Sequence, residues 1–286
     1  MRILRLIAVL AFAGLGGCVV VFPKTGALDK VHEAYRHEFA SLAFTSPQSD
    51  FCTASERVDG FPVTRTEINA FRAKYGDDSP EAAHLTVLEG MIYLQMTQFG
   101  LARAYETQVQ AAGAKLTSGT GEKVRDALFA ETYGSLVSGW EATCNGAVHY
   151  TNRRILRESA TKLSAPADNI EARLKAYTKE KTLAATEVDE GALYLMATAI
   201  RFRSNKIVFL QEAACGENGC SDPEISQAKG ELGSAVCQMA PMLTADERSG
   251  LALENLNTEK VQGRLRYVVI YRDARALAGN PECGAN

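Results

Sequence analysis

The stretch LDKVHEAYRHEFASL, residues 28–42, decides the fold class of this 286-residue chain. Its large apolar side chains recur at spacings of three, four, four and three, at Leu28, Val31, Tyr35, Phe39 and Leu42. This spacing places them on one face of an α-helix. A half-buried strand would instead alternate apolar and polar residues. The stretch therefore predicts an amphipathic helix that packs against other helices.

Helix boundaries recur along the rest of the chain. Thr-x-x-Glu capping boxes are found at Thr64 and Thr244. Proline takes a first helical position after Ser79 and after Asp222, where its missing N–H costs no hydrogen bond. Further helix starts are predicted at Thr120, at Pro166 or Asp168, and at Thr258, and helix ends at Gly76, Gly113 and Gly279. These signals predict an all-α, antiparallel helical bundle of about 8–10 helices.

Two apolar segments need separate interpretation. Residues 186–214 form a long apolar stretch that is typical of a buried helix. YVVIY, residues 267–271, is rich in β-branched residues and is the best strand candidate. Its flanks keep helical spacing, so we interpret it as the buried face of a helix.

An internal similarity suggests an old duplication. EGMIYLQMT (89–97) resembles EGALYLMAT (190–198), and YGSLV (133–137) resembles LGSAV (232–236) at a nearly equal offset. Two similar hairpin-based halves, with pseudo-repeats at 79–145 and 186–245, would explain both matches. Chance recurrence of core residues is the alternative. A true duplication predicts close helix crossings at Gly90 and Gly191.

The first residues have the layout of a secretory signal. Arg2 and Arg5 precede an uncharged apolar run at 6–15, and two small glycines stand directly before Cys18. A membrane-spanning helix needs about 17–25 apolar residues. The apolar run reaches that lower limit only if it continues to Phe22, and it then contains three glycines. Cleavage is therefore favoured over an uncleaved anchor.

The residues Leu15-Gly16-Gly17-Cys18 resemble the lipobox of bacterial lipoproteins. The resemblance covers only the first 18 residues. It implies lipidation of Cys18 by acyl chains such as palmitate, cleavage before it, and acylation of the new amino group. Residues 1–17 would then be a signal peptide, 18–27 a lipid-anchored tether and 28–286 a single helical periplasmic domain. The residue that follows the cysteine is Val19 and not Asp. In enteric-type lipoproteins, a residue other than Asp at this position implies the outer membrane.

The other cysteines predict disulfides. Setting Cys18 aside leaves six of the seven cysteines, and an even number in an exported chain is typical of a disulfide-stapled fold. Cys215 and Cys220 close the short loop CGENGC and form the best local pair. Elimination then pairs Cys237 with Cys283 and Cys52 with Cys144. Because no CxxC is present, these cysteines do not indicate a metal or redox site.

Histidines and a Glu-Ser pair are the candidates for chemistry. His32 and His37 lie five apart, so their rings diverge by about 140° on a helix, and we interpret their stretch as a surface helix. His84 and His149 have no partners nearby in sequence, and we expect neither a metal nor a cofactor. Glu158-Ser159 resembles the catalytic pair of lytic transglycosylases, which implies a general-acid role for Glu158. The Gly-Leu-Met-Gln motif of that family does not follow it.

Aromatic and basic residues on the longest predicted helices offer binding candidates. They are Trp140, Tyr93, Tyr194, Phe202, Arg201 and Arg203. Stripes of aromatics at helical spacing more commonly form a core, and the arginines are expected on a solvated helix face. The net charge is −3, and removal of Arg2 and Arg5 with the signal would make it −5. This charge excludes nucleic acid as a partner held by bulk electrostatics.

These features favour a lipid-anchored, non-catalytic periplasmic protein that binds or scaffolds an envelope protein. The alternative is a lipid- or small-molecule-binding module with a pocket between helices, lined by the aromatic candidates. A third interpretation is a peptidoglycan lytic enzyme that uses Glu158.

Overall fold

Helices make up almost every described part of this chain. A computed structural model describes residues 23–41, 52, 60–116, 122–180, 190–215, 222–249 and 259–283. No strand occurs in these ranges, so the all-α fold class is confirmed. The helices are α1 (Pro23–Ser41), α2 (Pro62–Tyr75), α3 (Pro80–Gln95), α4 (Phe99–Gly113), α5 (Glu122–Val148), α6 (Arg153–Lys162), α7 (Ser164–Glu180), α8 (Glu190–Cys215), α9 (Pro223–Met239), α10 (Ala245–Ser249) and α11 (Glu259–Leu277). A 3₁₀ turn, Ala240–Met242, follows α9.

The opening stretch forms the predicted amphipathic helix. In α1, Leu28, Val31, Tyr35 and Phe39 are all buried. The helix begins at Pro23, earlier than residue 28. The signal peptide, Cys18, Leu42 and Cys220 lie outside the described residues.

The two predicted capping boxes have different outcomes. At Thr244, the backbone N–H donates to Glu247 Oε2 at 2.8 Å, and the Glu247 N–H donates to Thr244 Oγ1 at 3.3 Å, which confirms the box. At Thr64 the prediction is wrong, because α2 begins two residues earlier at Pro62. The Thr64 hydroxyl instead donates to Glu38 Oε2 on α1 at 2.6 Å. Thr64 therefore joins two helices rather than starting one.

The helix predicted from Pro80 to about Gly113 is interrupted. Its start is confirmed, since Ser79 Oγ accepts from the Ala82 N–H at 3.2 Å. The chain then turns at Thr97, whose φ of 55° lies in the left-handed region. A β-branched residue rarely adopts this conformation. The turn separates α3 from α4 and lets the two helices pack against each other.

The two longest helices, α5 and α8, lie at the centre of the bundle. Helix α8 packs against α5, α6, α7, α9 and α11, and α5 packs against α3, α4, α6 and α7 as well. Edge-to-face contacts between Trp140 and Phe202 and between Phe129 and Tyr194 join α5 to α8. The YVVIY stretch is helical, as expected, and buries Tyr267, Val268 and Tyr271 within α11.

Two disulfides join distant parts of the bundle. Cys52 is bonded to Cys144 on α5, and Cys237 on α9 is bonded to Cys283 beyond α11. These are the pairs predicted by elimination. The pairing of Cys215 with Cys220 falls outside the described residues and stays a prediction.

A close helix crossing lies at Gly90, as the duplication hypothesis expects. A Cβ placed there would lie 2.6 Å from Val109 Cγ2, and the Tyr133 hydroxyl donates to the Gly90 carbonyl at 2.9 Å. One close crossing does not establish a repeat, so the duplication at 79–145 and 186–245 stays a prediction.

Candidate functional site

A cluster of His32, His84 and Asp126 lies inside the bundle, with one residue each from α1, α3 and α5. His32 Nε2 lies 2.9 Å and His84 Nδ1 2.7 Å from the same carboxylate oxygen, Asp126 Oδ2. The two imidazole rings meet edge to face with their centroids 5.5 Å apart. The side chains are 3, 5 and 0% exposed, respectively. We call these three residues the His-Asp-His cluster.

Arg125 holds the other oxygen of the Asp126 carboxylate. Its Nε and Nη2 donate to Asp126 Oδ1 at 3.0 and 2.9 Å. Burial alone would raise the pKa of Asp126, but the Arg125 charge and the two histidine hydrogen bonds outweigh it. They hold this pKa well below its usual range, so Asp126 is a carboxylate at neutral pH.

A buried tyrosine, Tyr35, packs its ring beside Arg125. Tyr35 is 1% exposed, and its hydroxyl has no hydrogen-bond partner among the described residues. The Arg125 guanidinium lies 5.6 Å from the centroid of the Tyr35 ring. Burial raises the pKa of Tyr35 well above its ordinary value, so this hydroxyl stays protonated. Buried polar groups normally have a partner, so the Tyr35 hydroxyl is an exception among the described residues.

The sequence interpretation of His32 as a surface residue is wrong. His32 is 2% exposed because it follows Leu28 by four positions and precedes Tyr35 by three. It therefore shares their buried face. His37, by contrast, is exposed. The spacing of His32 and His37 correctly indicated that these two residues do not share a site. The residues that His32 does contact, His84 and Asp126, lie 52 and 94 positions further along the chain.

A second feature is an open cavity on the surface formed by α4, α5, α6 and α7. Its volume is about 1070 Å³. Most of its lining is charged, amide or hydroxyl: Arg103, Glu106, Gln110, Glu131, Ser135, Ser138, Glu141, Asn145, Arg154, Glu158, Lys162 and Asn169. We call these residues the polar groove. A second hollow of about 820 Å³ adjoins it at Arg154 and Glu158 and is also lined by Arg153 and Arg157.

Glu158 lies in this groove without the environment of a general acid. Its side chain is 48% exposed, and Lys162 Nζ donates to its Oε1 at 2.8 Å. The hydrogen bond and charge of Lys162 lower the pKa of Glu158. General-acid catalysis needs a raised carboxyl pKa. The surroundings of Glu158 therefore give the lytic role no support.

The aromatic binding candidates lie mainly in the core. Trp140 and Tyr194 are 2% exposed and Phe202 is fully buried, whereas Tyr93 is half-buried. Gln95 Nε2 donates to the Tyr194 hydroxyl at 2.6 Å. Of these four, only Tyr93 lines a described cavity, a small one of about 190 Å³.

The basic candidates are not on a solvated face either. Arg203 is 5% exposed, and its guanidinium donates to Glu171, Asp168 and Glu231. Arg201 is half-buried, and burial lowers its pKa to about 10. The expectation of a wet face is wrong for Arg203 because α7 and α9 cover it with carboxylates.

Among the described residues, the His-Asp-His cluster is the one group of three or more His, Cys, Asp or Glu residues whose donor atoms all lie within 4.8 Å of one another. None of the described helices combines the length and apolar character that crossing a membrane requires.

No protein family model matches this chain, and comparisons with curated proteins and with solved structures found no match.

Proposed function

We propose that this chain is a lipid-anchored, non-catalytic protein that faces the periplasm from the bacterial outer membrane. In this role it holds a polar polypeptide segment of an envelope protein in its polar groove. The single observation that carries the proposal is the groove itself, a large open cavity with charged, amide and hydroxyl side chains along its length.

The lining of the groove favours a polypeptide over a lipid or an apolar small molecule. Sites for small ligands are mostly apolar and enclose the ligand. This groove is open and offers side chains of both signs together with amides that can bond a peptide backbone. The aromatics that would line an apolar pocket instead fill the core, which removes the main support for the lipid-binding alternative.

One end of the groove favours acidic residues in the partner. Arg153, Arg154 and Arg157 come together in the adjoining hollow. The Arg154 side chain is 82% exposed and the Arg157 side chain is 56% exposed. Exposed arginines can pair bidentately with carboxylates. An acidic side chain of the partner would therefore bind at this end.

The anchor would keep the groove close to the membrane. Because α1 begins at Pro23, a lipidated Cys18 would be separated from the first helix by Val19 to Phe22 only. A chain of five residues extends at most about 17 Å. The partner segment in this proposal is therefore membrane-proximal.

Site-specific photo-crosslinking in the bacterium that makes the protein tests the groove. A photoreactive residue replaces Ser138 in the groove or, as a matched control, Ser234, which is exposed on α9. We expect a crosslinked product of defined mass from position 138 and none from 234. Arg154→Glu should reduce its yield, while Arg272→Glu, at a residue that does not line the groove, should not. Equal products at 138 and 234, or none at 138, would contradict the proposal.

A further inference from the structure

The His-Asp-His cluster has a donor set that suits a metal ion. Two imidazole nitrogens and one carboxylate oxygen are ligands that zinc and related first-row divalent metals accept. Each comes from a different helix, which is how metal sites are commonly built inside helical bundles. We propose that His32 Nε2, His84 Nδ1 and Asp126 Oδ2 are the protein ligands of a divalent transition-metal ion, with zinc as the reference metal.

The arrangement of the three atoms supports a common centre. Both nitrogens point to the same oxygen of Asp126, at 2.9 and 2.7 Å, although the carboxylate has two oxygens. In a tetrahedral zinc site, bonds of about 2.0–2.1 Å place neighbouring ligand atoms about 3.3 Å apart. The three donor atoms all lie within 4.8 Å of one another, so side-chain rotations that move the two nitrogens towards a common centre would complete such a site.

Arg125 would orient the Asp126 carboxylate without binding the metal itself. By donating to Oδ1, it fixes the carboxylate plane and leaves Oδ2 as the oxygen that faces the histidines. Outer-shell hydrogen bonds of this kind orient metal ligands and are important for affinity. With three protein ligands, a four-coordinate ion would keep water or a small anion in its remaining position.

The unpartnered Tyr35 hydroxyl is a separate observation that points to an additional polar group. The hydroxyl is buried and uncharged at neutral pH, and the centroid of the Tyr35 ring lies 5.6 Å from the Arg125 guanidinium. A water molecule bound to the metal would give this hydroxyl a polar partner. A purely structural His-Asp-His cluster leaves it without one among the described residues.

Zinc binding by the full-length protein, purified in detergent, tests the inference. After treatment with EDTA, the protein is titrated with zinc chloride, and bound metal is measured by mass spectrometry and calorimetry. We expect about one zinc ion per chain. His84→Gln and Asp126→Asn should lose at least about tenfold in affinity. His37→Gln, at an exposed position, should keep the wild-type affinity.

Two further readouts do not depend on the variants folding. Zinc should raise the melting temperature of the wild-type protein, and EDTA should lower it again. Cobalt should give a visible absorption spectrum typical of four-coordinate nitrogen and oxygen ligands. No zinc bound by the wild-type protein, or equal binding by His84→Gln and His37→Gln, would overturn the proposal.

Discussion

Gly139 on α5 lies directly against the ring of Phe202 on α8. A Cβ placed at Gly139 would lie 2.1 Å from Phe202 Cε2, closer than two carbon atoms can approach. Phe202 is fully buried and also contacts Trp140 edge to face, so its ring has little space to move. The two central helices therefore pack closely because residue 139 has no side chain.

Gly139→Ala should destabilise the protein. Overpacking of a buried site costs about 1–3 kcal/mol in the free energy of unfolding. Chemical denaturation followed by circular dichroism would measure this loss. The matched control is Gly230→Ala on α9, where nothing lies within 4 Å of the added Cβ. Because alanine is the better helix former by about 0.5–1 kcal/mol, that control should be slightly stabilising. Equal effects at the two positions would contradict the close packing of α5 against α8.

Arg203→Met should be strongly destabilising. Arg203 Nε and Nη2 donate to the Glu171 carboxylate at 2.8 and 3.0 Å, and the Glu171 side chain is only 10% exposed. Removal of the guanidinium leaves this carboxylate buried without its cation, at a cost of about 3–5 kcal/mol. Arg272→Met removes an arginine from an exposed pair with Asp273 and should cost about 0–1 kcal/mol. Similar losses in urea denaturation for both variants would show that Arg203 is not buried in this ion network.

Glu247 should make the stability depend on pH. Burial alone would raise its pKa, but the hydrogen bonds from Arg264 and Thr244 outweigh burial and lower it. A lowered folded-state pKa contributes stability above the unfolded value of about 4.3, and this contribution is lost as the pH falls through the folded-state value. Glu247→Gln should therefore cost about 1.5–3 kcal/mol at pH 7 and less near pH 3.

The matched control for that experiment is Glu33→Gln. Glu33 is exposed on α1 and makes no ion pair with a described residue. We expect its effect on the free energy of unfolding to stay below about 0.5 kcal/mol at both pH values. A loss for Glu247→Gln that is the same at pH 7 and pH 3 would be inconsistent with the ion pair to Arg264.

The Cys52–Cys144 bond should contribute substantially to stability. A disulfide restricts the unfolded chain, and its removal typically costs about 2–5 kcal/mol. The double variant Cys52→Ser with Cys144→Ser should show this loss in thermal unfolding. Mass spectrometry of peptides from unreduced protein should find Cys52 joined to Cys144 and Cys237 joined to Cys283. Peptides that join Cys52 to Cys237 would contradict the fold.

Local sequence patterns predicted most of the helices because helix formation depends on nearby residues. The spacing of Leu28, Val31 and Tyr35 and the Pro-start signals needed no tertiary information. The break at Thr97 was missed, since a positive φ at a threonine has no local signal. Thr64 was misassigned because its partner, Glu38, lies on another helix.

The candidate site depends on contacts between residues that lie far apart in sequence. His32 and Asp126 are separated by 94 positions, and His84 and Asp126 by 42. No local motif links them, although the position of His32 on the buried face of α1 could have identified it as an interior histidine. Arg203 was misassigned for the same reason, because its carboxylate partners come from α7 and α9.

Lipid attachment at Cys18 is the central proposal, since it would place the groove next to a membrane. Incorporation of a radioactive fatty acid by growing bacteria tests it most directly, with Cys18→Ser and a Val19→Ser control. We predict labelled protein for the wild type and for Val19→Ser, and no label for Cys18→Ser. Persistent labelling of Cys18→Ser, or an unlabelled wild-type protein, would contradict the claim.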